Sequence, residues 1–404
     1  MSTLHVTGFK DAQQTLSLPN LKQALYDEGA ALMERVLVTL DGEDHRRRRL
    51  MEMRIFKKDF FAFYESEVLP PVLRQTLEPF VARGAADLVE VGYHCMIGLT
   101  ADFAGIDRPL RTPEETTDLV RLLRIFGIAA TVGQFTGSRE EADALKATVA
   151  AGLKEFERNY FDPSVARRTE LLERWRAGEI QEDALPRDIL TLLLRNEDQI
   201  ELPRDMMLRE TAFYFLAGAH TSVHSLSHAM HEIFMLCVRD PNERAHLLQD
   251  SLFVQRCVHE SLRLHPSSPI SKRKPTCPMH LPQGAAVGPE DTVVVDLYRA
   301  NRQTEQFGDD ALQFNPYRTK LPQHMPYGLT FGVGLHSCLG RGLAAGDLPK
   351  PTTDASTHQY GTVTLLACEL LKRGAQPDPA SAPQQDLTTE RETWTRYPIL
   401  FRPS

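Results

Sequence analysis

The sequence predicts a mainly α-helical protein with a minor β part, and three observations carry that expectation. Long stretches have helical periodicity, the longest being residues 204 to 240, closed off by Pro203 at one end and Asp240-Pro241 at the other. Only short runs read as strand, the clearest being the β-branched residues 292 to 295. No fixed-period repeat, low-complexity run or clear linker breaks the 404 residues, which argues against a solenoid; length alone fits one large domain or two or three ordinary ones.

Composition narrows the class. The chain is 42% hydrophobic, and its formal net charge of −8 speaks against general nucleic-acid binding. Cys95, Cys237, Cys257, Cys277, Cys338 and Cys368 are scattered without a C-x-x-C pair, which fits reduced thiols in a cytoplasm. The opening MSTLHVTGFKDAQQTLSL has no apolar run long enough for a signal peptide or a membrane span, so a cytoplasmic protein without a membrane partner is expected.

Taken in order, residues 4 to 9 read as a short strand and 10 to 16 as a short helix. DGEDHRRRRL at 41 to 50 reads as a helix start, with Asp41 or Asp44 as cap and acidic residues in the first turn. His45 and Arg49 stand four apart on one face of that helix, and Arg46, Arg47 and Arg48 fall on the others. Residues 86 to 109 alternate short apolar groups and end in G-x-x-x-P, the pattern of a buried helix closed by a turn. From 113 to 180 the pattern is helical, opening on a capping box at Thr112 and Glu115. Phe126, Ile128, Phe135 and the stretch 154 to 161 are candidates for core, and a family resemblance carried by residues 331 to 340 adds a substrate-facing lid as the alternative. Residues 188 to 196 read as a short amphipathic helix.

At ~1.5 Å per residue the 204 to 240 helix would run about 50 Å. It holds Ala217-Gly218-Ala219-His220-Thr221-Ser222, and also His220, His224, His228 and His231 at spacings of four, four and three. Such a ladder lies on roughly one face and could bind a transition metal, but no H-E-x-x-H or facial-triad carboxylate accompanies it, and packing is the ordinary use of helical histidines. In HESLRLH at 259 to 265, Glu260 and Arg263 are three apart and can pair on one helix. Beyond residue 345, GDLPKPTTDASTHQYGT at 346 to 362, with Pro349 and Pro351, cannot continue a helix; VTLLACELLKRG resumes one. WTRYPILFRPS ends the chain as a strand.

The chemistry concentrates in FGVGLHSCLG at 331 to 340. Gly332, Gly334 and Gly340 surround Cys338 with positions that allow positive φ and close backbone approach, so main-chain N–H groups can turn toward the sulfur, hold it charged and tune a metal bound to it. Phe331 offers a ring to pack on the sulfur side of a flat cofactor, and His336 can donate to a carboxylate at its edge.

This stretch resembles the haem-binding loop of the cytochrome P450 family, F-x-x-G-x-H-x-C-x-G, at all five defining positions. The resemblance covers roughly residues 35 to 345 and part of the tail, and it implies a single large domain of the cytochrome P450 fold, with 346 to 362 as an insertion. It implies haem b as cofactor, with Cys338 as its iron ligand and Phe331, Gly332, His336 and Gly340 beside it. His45 and Arg49 match the family's H-x-x-x-R pair at the haem propionates, and Arg273, or failing it Lys272, matches the third propionate partner. Residues 268 to 270 would line the haem pocket. Ala217-Gly218-Ala219-His220-Thr221-Ser222 is similar to the oxygen-activation motif A-G-x-(D/E)-T-T, in which a glycine and a hydroxyl distort the helix. Thr221 matches its first threonine, and His220 departs from the acid, so His220 is expected to relay protons near its ordinary pKa of ~6.5 or simply to mark the loss of the acid. Glu260 and Arg263 should join an arginine downstream, first of all Arg318, in a structural ion-pair cluster.

The activity implied is insertion of one oxygen atom of O2 into a small or medium hydrophobic molecule, by hydroxylation or O-demethylation. Electrons would come from NAD(P)H through a separate reductase and a ferredoxin or flavodoxin, since no flavin- or nicotinamide-binding glycine motif is present. Arg46, Arg47 and Arg48 are either solvated surface or the docking face for that acidic partner. A peroxide-dependent peroxygenase or haem-thiolate isomerase, and a non-catalytic haem-binding relative or sensor, are the other classes.

Overall fold

The helix expected over 204 to 240 is present as the 36 residues Arg204–Arg239 and crosses the core. It belongs to a computed structural model that describes residues 2–199, 202–322, 325–350 and 352–402. In chain order, the helices that position the site are α1 (Gly42–Glu52), α2 (Leu88–Ala104), α3 (Pro113–Thr131), α4 (Arg139–Phe156), α5 (Arg204–Arg239), α6 (Ser251–Leu264), α7 (Arg341–Ala345) and α8 (Thr362–Lys372). Through residues 222 to 230 α5 is buried on every face, because helices surround it. It lies closest to α2. A methyl group on Gly92 would sit 3.1 Å from Val223 Cγ1, and one on Gly218 would sit 2.8 Å from Thr100 Cγ2. The two glycines thus set how near the axes come.

Caps explain where the helices start. Asp87 accepts from the Val89 N–H at 2.9 Å to open α2, and Gly105, at φ +92°, closes it, as the buried-helix pattern predicts. Asp41 occupies the N-cap position of α1 but makes no side-chain cap bond. Thr112 accepts from the Glu115 N–H at 3.2 Å, yet the Glu115 carboxylate takes the Arg111 N–H at 2.7 Å, so the expected box is not reciprocal. The reciprocal box is Ser138 with Glu141, at the start of α4. The short helix Ile189–Arg195 is not amphipathic: residues 189 to 194 are all buried.

The β part is small. Strands β1 (Thr3–Val6), β2 (Leu21–Gln23), β3 (Ile270–Pro275) and β4 (Thr292–Asp296) form a sheet ordered β1-β4-β3-β2, with β1 parallel to β4 and the other pairs antiparallel. Val6, Phe9, Leu21, Val293, Val295 and Phe307 make a second core against it, separate from the helical one. The tail strand Pro398–Phe401 pairs with Ala85–Asp87 and Ala375–Pro377, while residues 403 and 404 lie outside the described residues.

The helix after Cys338 is interrupted where the prolines require it. Chain direction changes at Gly346 (φ +72°) and Gly361 (φ +84°), so α7 and α8 are separated by a loop whose two ends meet: Asp347 N–H donates to Gln359 O at 2.9 Å. Gln255 on α6 clamps both ends, donating to Ala345 O at 3.1 Å and Tyr360 O at 3.0 Å, and the Glu65 carboxylate accepts the N–H groups of Tyr360 and Gly361 at 2.9 Å. Pro351 lies outside the described residues.

Candidate active site

Cys338 sits at the end of a loop closed by its own backbone, its N–H donating to Phe331 O at 2.8 Å. Gly332 and Gly334 take φ of +62° and +73°, which only glycine adopts without strain. Gly340 does not: its φ is −80°, and it matters instead because a methyl group there would lie 3.9 Å from Cys338 Sγ. Burial raises the thiol pKa, and N–H donation from Gly340 and Arg341 with the charges of Arg49 and Arg341 pulls it back. The residue is accessible although protein surrounds it, so its open side faces an interior cleft. The Phe331 ring packs edge-on against Tyr327, with centroids 5.0 Å apart.

At one edge of this loop four basic side chains converge. The rings of His45 on α1 and His336 lie 4.3 Å apart, and Arg49, one turn on, donates to Ser337 O at 2.6 Å and Oγ at 3.1 Å. Arg273 on β3 is the fourth member; Lys272, the alternative, points away to Gly133 O at 3.4 Å. Burial, then the charges of Arg273, His45 and Arg49, push the His336 pKa down to about 3. His45 Nε2 and Arg273 Nη1 are buried without a hydrogen-bond partner, an arrangement that costs a few kcal/mol per group unless an acceptor is supplied. The chemistry of this edge fits the two propionates of a haem held by Cys338.

Helix α5 supplies the opposite chemistry. Thr221 is accessible although residues 222 to 230 after it are buried, so its open side also faces inward. Its hydroxyl donates back to Ala217 O at 2.7 Å, and that of Ser222 to Gly218 O at 2.7 Å. The helix runs unbroken through Ala217 and Gly218, and Gly218 serves the approach of Thr100. The expectation that His220 titrates near 6.5 needs correction. Its Nδ1 meets Tyr93 OH at 3.0 Å and its ring lies where a side chain on Gly127 would be, so it faces α2 and α3. Burial, then the Arg391 charge, push its pKa down to about 3, and it is neutral near pH 7.

The rest of the histidine ladder has packing partners. His224 stacks edge-on with His220 at 4.5 Å, His228 Nε2 donates to Glu392 O at 2.6 Å, and His231 Nδ1 meets Tyr397 OH at 2.9 Å. Among the described residues no cluster of His, Cys, Asp and Glu has the arrangement of a metal site. Phe126 is fully buried edge-on to Phe156, and Ile128 and Phe135 are partly buried.

The Cys338 loop is anchored from α6. Arg263 is fully buried and all five of its N–H donors are used: Nε and Nη2 on Glu260 at 2.8 and 2.7 Å, Nη1 on Asn301 O and Ala311 O at 2.6 and 2.8 Å, and Nη2 on Gln313 O at 3.3 Å. Arg318 is the third member, reaching Glu260 Oε1 from Nε at 3.2 Å and Nη2 at 3.1 Å. The cluster passes to the loop through Asn301, whose Oδ1 takes the Leu329 N–H at 2.7 Å, and Thr330, whose hydroxyl donates to Leu262 O at 2.7 Å.

Two features escape a reading of the sequence. Arg48, grouped above with surface arginines, is buried and pairs with Glu210 of α5 at 2.9 Å and Glu52 at 3.7 Å, while Arg46 and Arg47 are exposed beside Glu43. Only the Arg48/Glu52 spacing of four hinted at it. A surface cleft of about 1250 Å³, lined by Tyr64, Asp102, Arg108, Glu115 and Tyr160 among others, is large but contains none of the Cys338 loop residues, so its size does not mark the chemistry.

Comparison with known proteins points to one family and one fold. The family profile described as Cytochrome P450 matches residues 239–348. The chain is 30% identical over 160 residues to cytochrome P450 monooxygenase PikC of Streptomyces venezuelae, covering 39% of this chain and 36% of that protein, and 32% identical over 97 residues to probable cytochrome P450 313a2 of Drosophila melanogaster, covering 23% and 20%. These matches span well under half of either relative. Among solved structures it is similar to HmtT, involved in himastatin biosynthesis (TM-score 0.74, 20% identity, 98% of this chain and 91% of that one), and to CYP109B1 from Bacillus subtilis (TM-score 0.70, 17% identity, 98% and 93%). The likeness extends over nearly the whole chain, well past the residues that the profile matches.

Proposed function

Because this chain is a member of the cytochrome P450 family, we propose that it is a haem-thiolate monooxygenase that inserts one oxygen atom of O2 into a hydrophobic small molecule. The observation that carries the reading is Cys338, an accessible residue facing inward, with N–H donors of Gly340 and Arg341 behind it and two basic groups with partnerless atoms, His45 and Arg273, beside it. When bound, the haem supplies the oxidising chemistry, using two electrons and two protons and releasing the second oxygen atom as water.

The chain's own residues do the rest. The two N–H donors stabilise negative charge on Cys338 Sγ, while Arg49 and Arg273 balance the charge of two carboxylates that are costly to bury and the neutral imidazoles of His45 and His336 donate hydrogen bonds to them. The Thr221 hydroxyl, free to release Ala217 O, hands a proton to a polar group in the cleft and takes its own from water. His220 is a positioning residue in this scheme, holding Tyr93 against α5. Among the described residues no helix is long and apolar enough to cross a membrane, and electrons arrive from a separate ferredoxin or flavodoxin docking near exposed Arg46 and Arg47.

The test is turnover of screened hydrophobic substrates with NADH and a surrogate ferredoxin system against turnover with peroxide alone. Product formed only with the electron-transfer system supports the reading, and product formed as fast with peroxide alone replaces it with a peroxygenase. His220→Ala should leave coupling and the pH profile unchanged, whereas Thr221→Ala should release more peroxide per NADH consumed.

A further inference from the structure

The segment 388–392 of the tail closes over the turn that follows α3. Thr136 N–H donates to Thr388 O at 3.0 Å, Phe135 bridges Thr389, and Glu390 N–H donates to Gln134 O at 3.0 Å. This pairing carries Arg391 inward, where it is only 5% exposed. Its Nε donates to Gln134 Oε1 at 2.6 Å, Nη1 to Ser267 O at 3.0 Å and Nη2 to Ala130 O at 2.9 Å. Tyr26 lies close enough to act on its charge. Every one of these partners is neutral, and among the described residues no carboxylate pairs with Arg391; Glu392, next to it, turns instead to His265 at 3.3 Å. A buried guanidinium without a counter-ion is unfavourable by several kcal/mol.

A second, independent group points the same way. Gln134 is 3% exposed, and its Nε2, the amide donor beside the guanidinium, has no acceptor. One buried cation and one buried amide donor, tied together by the 2.6 Å bond from Arg391 Nε to Gln134 Oε1, are complementary to a planar oxyanion that accepts from both. The spot adjoins the reacting region. Ser267, whose carbonyl takes Arg391 Nη1, donates its own hydroxyl to Thr221 O at 3.3 Å. The Arg391 charge is felt at both His220 and His224, and neither imidazole can balance it.

We propose that Arg391 and Gln134 form an oxyanion subsite next to Thr221, one residue away through Ser267, and that the substrate carries a carboxylate, held there while an apolar part of the molecule is oxidised. This rests on the monooxygenase reading and narrows its hydrophobic substrate to an amphipathic acid. Arg391 acts as a specificity-determining residue through direct contact with the ligand. The purely structural alternative, a guanidinium that only staples the tail to α3, gives no preference between an acid and its ester.

The test is a spin-state titration of the holoenzyme at pH 7.5 with dodecanoate, 4-phenylbutyrate and 4-methoxybenzoate, each against its methyl ester, with the thermal midpoint as a readout that does not depend on the haem signal. At least one acid should bind tenfold or more tightly than its ester and raise the midpoint where the ester does not. In Arg391→Gln the preference should fall to near one, Arg391→Lys should keep part of it, and Gln134→Leu should reduce it. The reduced carbon monoxide spectrum and imidazole affinity, measured first, report on the haem-thiolate reading separately. No acid bound more tightly than its ester, or a preference that survives Arg391→Gln, overturns the proposal. If the Arg391 variants lose haem, an unreduced preference in Gln134→Leu overturns it as well.

Discussion

Arg48, Glu52 and Glu210 give the sharpest prediction about stability. All three side chains are at most 5% exposed, and two carboxylates face one guanidinium. Burial, then the Glu210 charge, holds the Glu52 pKa well above the ordinary range; burial likewise raises that of Glu210, which Arg48 and the Leu37 N–H pull back. The cluster therefore holds a shared proton, with Tyr214 OH donating to Glu52 Oε2 at 2.5 Å. Either carboxylate can serve as the anion for Arg48. Glu52→Gln should cost under about 1 kcal/mol, because it replaces a neutral acid by a neutral amide, and Glu210→Gln about 1–2 kcal/mol, because Glu52 then ionises. The double variant leaves a buried, uncompensated arginine and should cost about 3–5 kcal/mol, more than the sum of its parts. Urea unfolding of the four proteins measures this. A raised folded-state carboxylate pKa contributes stability that is complete below the unfolded value near 4.5 and is lost as pH rises through the folded value, so the double variant should also lose that slope. Strict additivity, with the double variant costing no more than the sum of its two parts, would refute a shared anion.

Haem occupancy after expression should drop more in Arg49→Ala and Arg273→Ala than in Arg46→Ala and Arg47→Ala, since only the first two belong to the basic edge; equal occupancy in all four contradicts that placement. Arg263→Lys keeps the charge but strands acceptors that now receive five donors, so it should cost about 3–5 kcal/mol and weaken haem retention, as seen by denaturation and by haem transfer to apomyoglobin. For His228, burial, then the His265 charge, push the pKa down to about 3, so the stability at stake is present above the unfolded value of ~6.5 and lost as pH falls toward 3. His228→Asn should therefore flatten stability against pH between 6 and 4 by up to about 1.4 kcal/mol per unit, and an unchanged slope would show the imidazole to be charged in the fold.

What the sequence made legible is what short spacing determines. The Cys338 loop, the His45/Arg49 pair and the Glu260/Arg263 pair each lie within one turn or one loop, and Pro203 and Pro241 bound the long helix by simple stereochemistry. Arg318 was accessible only through the family resemblance. The features that were not legible depend on partners far along the chain. Arg48 meets Glu210 across 162 positions and Arg391 meets Gln134 across 257, so each looks like a surface arginine until the fold brings its partner in. Gly218 illustrates the same limit: the motif suggests helix distortion, whereas the residue is needed for the approach of Thr100 on another helix. Nothing local to His220 announces its burial between Tyr93 and Gly127, so its residue type alone suggests an ordinary pKa.

The central claim is that Cys338 is the protein's ligand to the haem iron. It is tested most directly by the absorption spectrum of the reduced carbon monoxide complex in the parent and in Cys338→Ser. The thiolate-type band should be present in the parent and lost in the variant, with the basic edge still able to hold haem weakly. A thiolate-type band that persists in Cys338→Ser would place the ligand on another cysteine and contradict the account.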